Sequence, residues 1–199
     1  MSLEVVVFPA RSDNFGYLAH CSVTGQTFAI DAPEEKAVLN ALSDRGWTLD
    51  GLVITHHHED HVDGLLALKE RFGITVTGPK AEADKIEGLD RLVEEGDEVM
   101  IGHTALSVIA VPGHTLGHIA YAASGVALFS GDALFSLGVG RMFEGTPGPM
   151  WEGLVKLRAL DPATLVYCGH EYTLSNAKFA LSVDPDNGAL KARAAEAEA

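Results

Sequence analysis

The run Thr55-His56-His57-His58-Glu59-Asp60-His61 constrains this chain more than any other stretch. It follows directly on Gly51-Leu52-Val53-Ile54, a short apolar run that reads as a buried strand. Four side chains able to hold a metal, His56, His58, Asp60 and His61, are thereby gathered at the C-terminal end of a strand. Spacing selects among the arrangements they can form. A helical zinc-protease motif needs His-Glu-x-x-His, and His58-Glu59-Asp60-His61 is one residue short of it. On extended backbone His56 and His58 point the same way, because side chains alternate with period two, so they can share one ion. Asp60 and His61, in the first turn of a helix expected over 61–71, can face a second. A solvated polar loop is the competing reading until partner ligands are found elsewhere in the chain.

Composition narrows the setting. With 199 residues, 47% hydrophobic and 21% charged, the chain can bury a sizeable core as one globular unit. No apolar run approaches the roughly 20 residues needed to cross a bilayer, and the N-terminus lacks the basic-then-apolar pattern of a secretory signal. A cytoplasmic location without membrane association is therefore expected. A formal net charge of −14 argues against nucleic acid and anionic membranes as partners, since both demand a basic surface. Cys21 and Cys168 are too few for a disulfide framework and are expected as two buried thiols.

Short β-branched and aromatic segments predict strands at 3–8, 16–23 and 27–30, then a helix opened by Asp31-Ala32-Pro33 and closed near Gly46. A strand at 52–54 carries the histidine run, and a strand at 74–77 follows the 61–71 helix. The charged stretch 80–96 reads as loop with some helix. Strands are expected at 105–111, 119–122, 126–130 and 165–167, a glycine-rich loop at 137–149, and helices at 150–160 and 173–181. The tail from Asn187 has Leu190 as its one large apolar residue, which predicts a frayed or partnerless helix. An internal echo is visible: Phe28-Ala29-Ile30-Asp31, a helix, then Leu52-Val53-Ile54-Thr55-His56 parallels Leu128-Phe129-Ser130-Gly131-Asp132, a helix, then Leu165 to His170. The echo suggests two similar α/β halves with sheets packed together, helices outside, and histidine-bearing strand ends meeting at one edge.

Partner ligands for the histidine run are available. His114, Asp132 and His170 each stand just past an expected strand in a glycine-containing loop. His114 would complete a three-histidine site with His56 and His58, His170 would join Asp60 and His61, and Asp132 could bridge through its two oxygens. Taken singly, each has an ordinary alternative, a turn or helix cap for the aspartate and a hydrogen-bonded structural role for the histidines. His57 and His118 are expected to support the site rather than bind metal.

These residues carry a family resemblance. His56-x-His58-x-Asp60-His61 with His114, Asp132 and His170 resembles the metallo-β-lactamase superfamily, which implies an αββα sandwich, two mixed β-sheets flanked by helices, around a dinuclear site. Four further runs, Pro112-Gly113-His114-Thr115-x-Gly117-His118, Phe129-Ser130-Gly131-Asp132-x-Leu134-Phe135, Gly140-Arg141-x-Phe143-Glu144-Gly145-Thr146 and Cys168-Gly169-His170-Glu171-Tyr172-Thr173, resemble the glyoxalase II (hydroxyacylglutathione hydrolase) family. The resemblance implies hydrolysis of S-D-lactoylglutathione to D-lactate and glutathione, with hydroxide bridging two divalent metal ions as nucleophile and with Asp60 and Asp132 counted among the catalytic residues. Lowering the pKa of water from 15.7 to about 7 removes on the order of 12 kcal/mol from the cost of hydroxide near neutrality. The leaving thiol, of pKa about 8.5, departs as thiolate without a dedicated acid. All-nitrogen-and-oxygen ligation suits zinc first, with iron or manganese as alternatives. Arg141, Phe143 and Tyr172 fall at positions that line the glutathione pocket in the family, where some members have tyrosine in place of Phe143.

Family members usually continue into a longer helical C-terminal region whose basic residues hold the glycine carboxylate of glutathione. This sequence stops at Ala199, and Lys191 and Arg193 match no motif there. The expectation is a catalytic domain over 1–183, a remnant of the helical region over 184–199, intact metal binding, and reduced affinity for the glutathione end. Two other readings accompany it: a mononuclear iron persulfide dioxygenase of the same superfamily, and a metal-holding form with little glutathione-thioester turnover.

Overall fold

Neighbouring residues on the central strands feed different cores, and this alternation builds the layers. The computed structural model describes residues 3–198. One six-stranded sheet is formed by β1 (Leu3–Ala10), β2 (Asn14–Cys21), β3 (Thr27–Ile30), β4 (Gly51–Val53), β5 (Thr75–Pro79) and β6 (Arg91–Val93), in that spatial order. The first two pairings are antiparallel and the remaining three parallel. The second sheet has the order β13-β10-β9-β8-β7, from β7 (Glu98–Ile101), β8 (Thr104–Ala110), β9 (Ile119–Ala123), β10 (Ala127–Gly131) and β13 (Leu165–Cys168), with only β10 and β13 parallel. A small hairpin pairs β11 (Leu134–Phe135) with β12 (Gly138–Val139).

Leu18, Leu52 and Val76 face outward onto Val38 and Leu42 of α1 (Glu35–Arg45) and Leu65 and Leu68 of α3 (Leu65–Phe72), which lies beyond the short α2 (Glu59–Val62). Their sequence neighbours Ala19 and Val53 face inward, against Leu106, Tyr121 and Phe129 of the second sheet. On the far side Ala120, Ala122 and Leu128 meet Leu157 of α4 (Pro147–Arg158). Strands buried on both faces read as unbroken apolar runs because each residue has a core to enter. The result is helix, sheet, sheet, helix, as the sequence implied. The internal echo corresponds to two strand-helix-strand units, β3-α1-β4 and β10-α4-β13, each closing a parallel pair.

Several elements differ from the sequence expectation, each for a local reason. The first helix begins at Glu35 rather than around Asp31, because Asp31 adopts φ 58° and its N–H is taken by the Val53 carbonyl, while Ala32 precedes a proline. The helix expected over 61–71 is broken into α2 and α3 at Asp63-Gly64. A Cβ at Gly64 would press on the backbone of Glu34 and Glu35, so this glycine lets the two segments meet, and its N–H bonds the Ala32 carbonyl. The charged stretch 80–96 holds a single 3-10 turn (Lys80–Glu82) and the edge strand β6, and the β7 strand just after it was also unforeseen. Helix α4 starts earlier than expected, with Pro147 in its first turn, where a missing N–H costs nothing. The tail forms α6 (Gly188–Glu198), which packs on α5 (Thr173–Val183) and buries Ala194, so it is not partnerless. Cys21 is buried and Cys168 half-buried, and neither is in a disulfide. Among the described residues no helix is long and apolar enough to cross a membrane.

Candidate metal centre

The seven expected ligands arrive from five places in the chain and meet at one edge of the sandwich. His56 and His58 leave the end of β4 on extended backbone, and Asp60 and His61 lie in α2. His114 sits in the loop between β8 and β9, Asp132 just beyond β10, and His170 just beyond β13. Every one of these strands ends at the same edge, which is where polar groups can converge without giving up ladder hydrogen bonds.

Two clusters result. His56 Nε2 and His114 Nε2 lie 3.2 and 2.9 Å from His58 Nδ1. Asp60, His61 and His170 form the second cluster, and within each cluster the ligand atoms fall within 4.8 Å of one another. Asp132 stands between them, with Oδ1 3.3 Å from His61 Nε2 and Oδ2 3.3 Å from both His114 Nε2 and His170 Nε2.

The other ring nitrogen of most of these histidines is held by a partner that the sequence did not announce. His114 Nδ1–H donates to the Arg141 carbonyl at 2.9 Å, which leaves its Nε2 lone pair facing the cluster. His61 Nδ1 is 2.8 Å from Asp31 Oδ2, and His170 Nδ1 is 2.8 Å from Asp13 Oδ1. Asp31 also accepts the N–H and the hydroxyl of Thr55, tying the start of the histidine run to the end of β3. Asn14 donates its amide to Asp60 at 2.9 Å. Sequence reasoning passed over Asp13, Asn14 and Asp31, although Asp31 follows a strand in the same way as Asp132. Of the two supporting histidines, His118 Nε2 accepts the N–H of Asp132 at 3.1 Å, and His57 points to Glu82, away from the clusters.

The electrostatics differ between the clusters. Burial lowers the pKa of His56, His58 and His114, so their rings are neutral with lone pairs free to bind a cation; burial also takes His118 down to about 3. Burial also opposes charge on His61, but Asp31 and then Asp132 outweigh it and raise the ring to about 10. His170 reaches about 10 in the same way, through Asp132 and Asp60. Burial disfavours the charged forms of Asp60 and Asp132 as well, yet their histidine neighbours hold both well below the usual carboxylate range. The second cluster therefore demands positive charge. His61 Nε2 and Asp132 Oδ1 are buried and lie 3.3 Å apart without hydrogen-bond geometry between them, so both atoms fit a cation as a shared partner.

The clusters open into a cleft of about 660 Å³ lined by His58, Asp60, Asp132, Phe135, Arg141 and Tyr172. Phe143 lines it too, with its ring 5.7 Å from His58 and 5.2 Å from His114. Tyr172 stacks on His170 with centroids 4.8 Å apart. All three residues expected at the substrate, Arg141, Phe143 and Tyr172, are thus on the walls of one cleft. The Arg141 guanidinium lies 5.7 Å from the centre of the Phe143 ring.

Comparison with known proteins identifies the family. The family model of the metallo-beta-lactamase superfamily matches residues 22–170, and that of the hydroxyacylglutathione hydrolase C-terminus matches residues 171–199. A hydroxyacylglutathione hydrolase of Chelativorans sp. (strain BNC1) is 57% identical over 201 aligned positions, covering 100% of this chain and 78% of the relative. The chain belongs to the hydroxyacylglutathione hydrolases. Family membership and the histidine and aspartate clusters together point to binding of divalent metal. Among solved structures, ETHE1 from Myxococcus xanthus superposes with a TM-score of 0.75 at 34% identity, covering 86% of this chain and 76% of its own. TTHA1623, solved in a di-iron-bound form, superposes with a TM-score of 0.72 at 26% identity, covering 83% of this chain and 91% of its own.

Proposed function

We propose that this protein hydrolyses S-D-lactoylglutathione to D-lactate and glutathione, using two divalent ions held by the paired clusters. His56, His58 and His114 would hold one ion, Asp60, His61 and His170 the other, and Asp132 would reach both. The placing of Asp132, one oxygen toward His61 and the other toward His114 and His170, is the observation that carries this reading. The di-iron form of TTHA1623 supports the count of two, and the name shared by the similar relatives supports the substrate. The donors are nitrogen and oxygen throughout, which suits zinc first and also iron or manganese. When bound, such a pair acidifies a water molecule near neutrality and polarises the thioester carbonyl.

The chain's own residues do the rest. Arg141 fixes His114 through its carbonyl and places the one arginine or lysine side chain among the cleft-lining residues, a local basic point on an acidic protein where an anionic glutathione moiety can dock. Phe143, Phe135 and Tyr172 supply an aromatic wall to the same cleft, against which the apolar parts of the substrate can pack. Residues 1–183 form the catalytic unit in this reading and 184–199 belong to the C-terminal helical region. The cytoplasm is the proposed location.

Elemental analysis of the purified protein, paired with hydrolysis of S-D-lactoylglutathione beside other thioesters, tests this. Two metals per chain and preferential turnover of the lactoyl thioester are expected. One iron per chain with oxygen uptake on glutathione persulfide would replace the hydrolase by a dioxygenase, and two metals without thioester turnover would leave a metal-holding form. His58→Ala should lose metal and rate together; activity retained in that variant removes His58 from the centre.

A further inference from the structure

Glu82 is fully buried, yet belongs to neither cluster. It ends the 3-10 turn after β5. One of its oxygens accepts the hydroxyl of Thr115 and, at 3.2 Å, the N–H of Gly117. The other lies 3.0 Å from His57 Nδ1. His57 stands between His56 and His58 in the chain, and Thr115 directly follows His114. A single carboxylate therefore hydrogen-bonds the residue after His114 and lies against the residue between His56 and His58, without a hydrogen bond to it, across two loops that otherwise leave different sheets. Its seat is tight: a Cβ on Gly117 would run into Glu82 Cγ, so glycine at 117 is what admits the side chain. A carboxylate taken wholly out of water is costly unless its surroundings are fixed to receive it, and here those surroundings are the metal loops.

We propose that Glu82 is a positioning residue that sets the spacing of His56, His58 and His114, and through it the affinity of the ion these three would hold. The proposal rests on the two-ion reading above.

Stepwise loading of the metal-free protein with cobalt(II), followed by visible absorption, tests it on wild type, Glu82→Ala, Glu82→Gln and Thr115→Val, with the thermal midpoint of each metal-free protein measured alongside. Glu82→Ala is expected to weaken one loading step by about 10- to 100-fold and shift the absorption bands of that step, leaving the other in place. Glu82→Gln keeps an acceptor for Thr115 and Gly117 and should recover the lost step. Thr115→Val preserves volume, deletes one arm of the contact, and should weaken the same step by a smaller factor. Loading unmoved in Glu82→Ala and Thr115→Val overturns the proposal, as does equal weakening of both steps in proportion to a lowered midpoint. If Glu82→Ala does not fold, Thr115→Val decides alone. A wild type that does not load in two steps overturns the two-ion reading and the proposal with it, whereas two-step loading that the variants leave unchanged overturns the proposal only.

Discussion

An imidazole has two nitrogens, and at this centre both are committed for most of the rings. Which nitrogen is left free for an ion is set by what the other one bonds, so Asp13, Asp31 and the Arg141 carbonyl do as much to define the candidate site as the histidines they orient. Asp31→Asn isolates this effect. Asparagine tolerates the left-handed backbone at φ 58°, so the turn should survive while the charge behind His61 is lost. The expected outcome is a 10- to 100-fold weaker ion at the Asp60-His61-His170 cluster, read by competition with a chelator; unchanged affinity would show that Asp31 serves only the turn. A second consequence concerns protons. With His61 and His170 raised to about 10, both rings are protonated at pH 8 in the metal-free protein and must be neutral to bind a cation. Loading at pH 8 should therefore release close to two protons, with less released as pH rises through 10. Calorimetry in buffers of different ionisation enthalpy measures the number, and zero release would mean that the two rings are already neutral at pH 8 in the metal-free protein.

At the scale of elements, the centre exists because strands β4, β10 and β13 stop at one edge and the chain turns sharply after each. Two glycines packed against Asp132 leave no room for a side chain. A Cβ on Gly169, just past β13, would fall onto Asp132 Oδ1, and one on Gly140 would fall onto the Asp132 carbonyl. Gly169→Ala should therefore displace the shared carboxylate. We expect a loss of about 1–3 kcal/mol in stability by denaturant titration together with lower metal content. Normal values for both would mean that Asp132 has more freedom than the packing allows. The strands were readable in the sequence because burial on both faces makes them continuously apolar. The division of one expected helix into α2 and α3 was not, because it depends on Gly64 meeting the backbone at Glu34 and Glu35, which lie about 30 residues away in the chain. Likewise β6 and β7 carry charged or exposed residues on short edges, where periodicity gives little signal.

For the molecule as a whole, ions bound to the folded state stabilise it by mass action, about 2.7 kcal/mol at a hundredfold excess over the dissociation constant. For a chain of this length that corresponds to a fall of roughly 5–11 °C in thermal midpoint when chelator is added, restored on return of the metal. A midpoint indifferent to chelator would mean that the clusters hold no ion in the native protein. The sandwich places the centre where its two sheets end together, so metal and fold are expected to answer to each other.

The sequence by itself made the strands, the layers and the seven candidate ligands legible, since alternation and strand ends are local properties and the motifs that follow them carry a family resemblance. The tertiary structure alone decided what lies behind each ligand: Asp13 and Asp31 on the far side of two rings, a main-chain oxygen behind a third, and Glu82 beneath the loops that carry the first cluster. These partners are distant in the chain and ordinary in type. An aspartate or glutamate becomes recognisable as a support only when folding has set a histidine within 3 Å of it, as it has for the half-exposed Asp13 and for the buried Asp31 and Glu82.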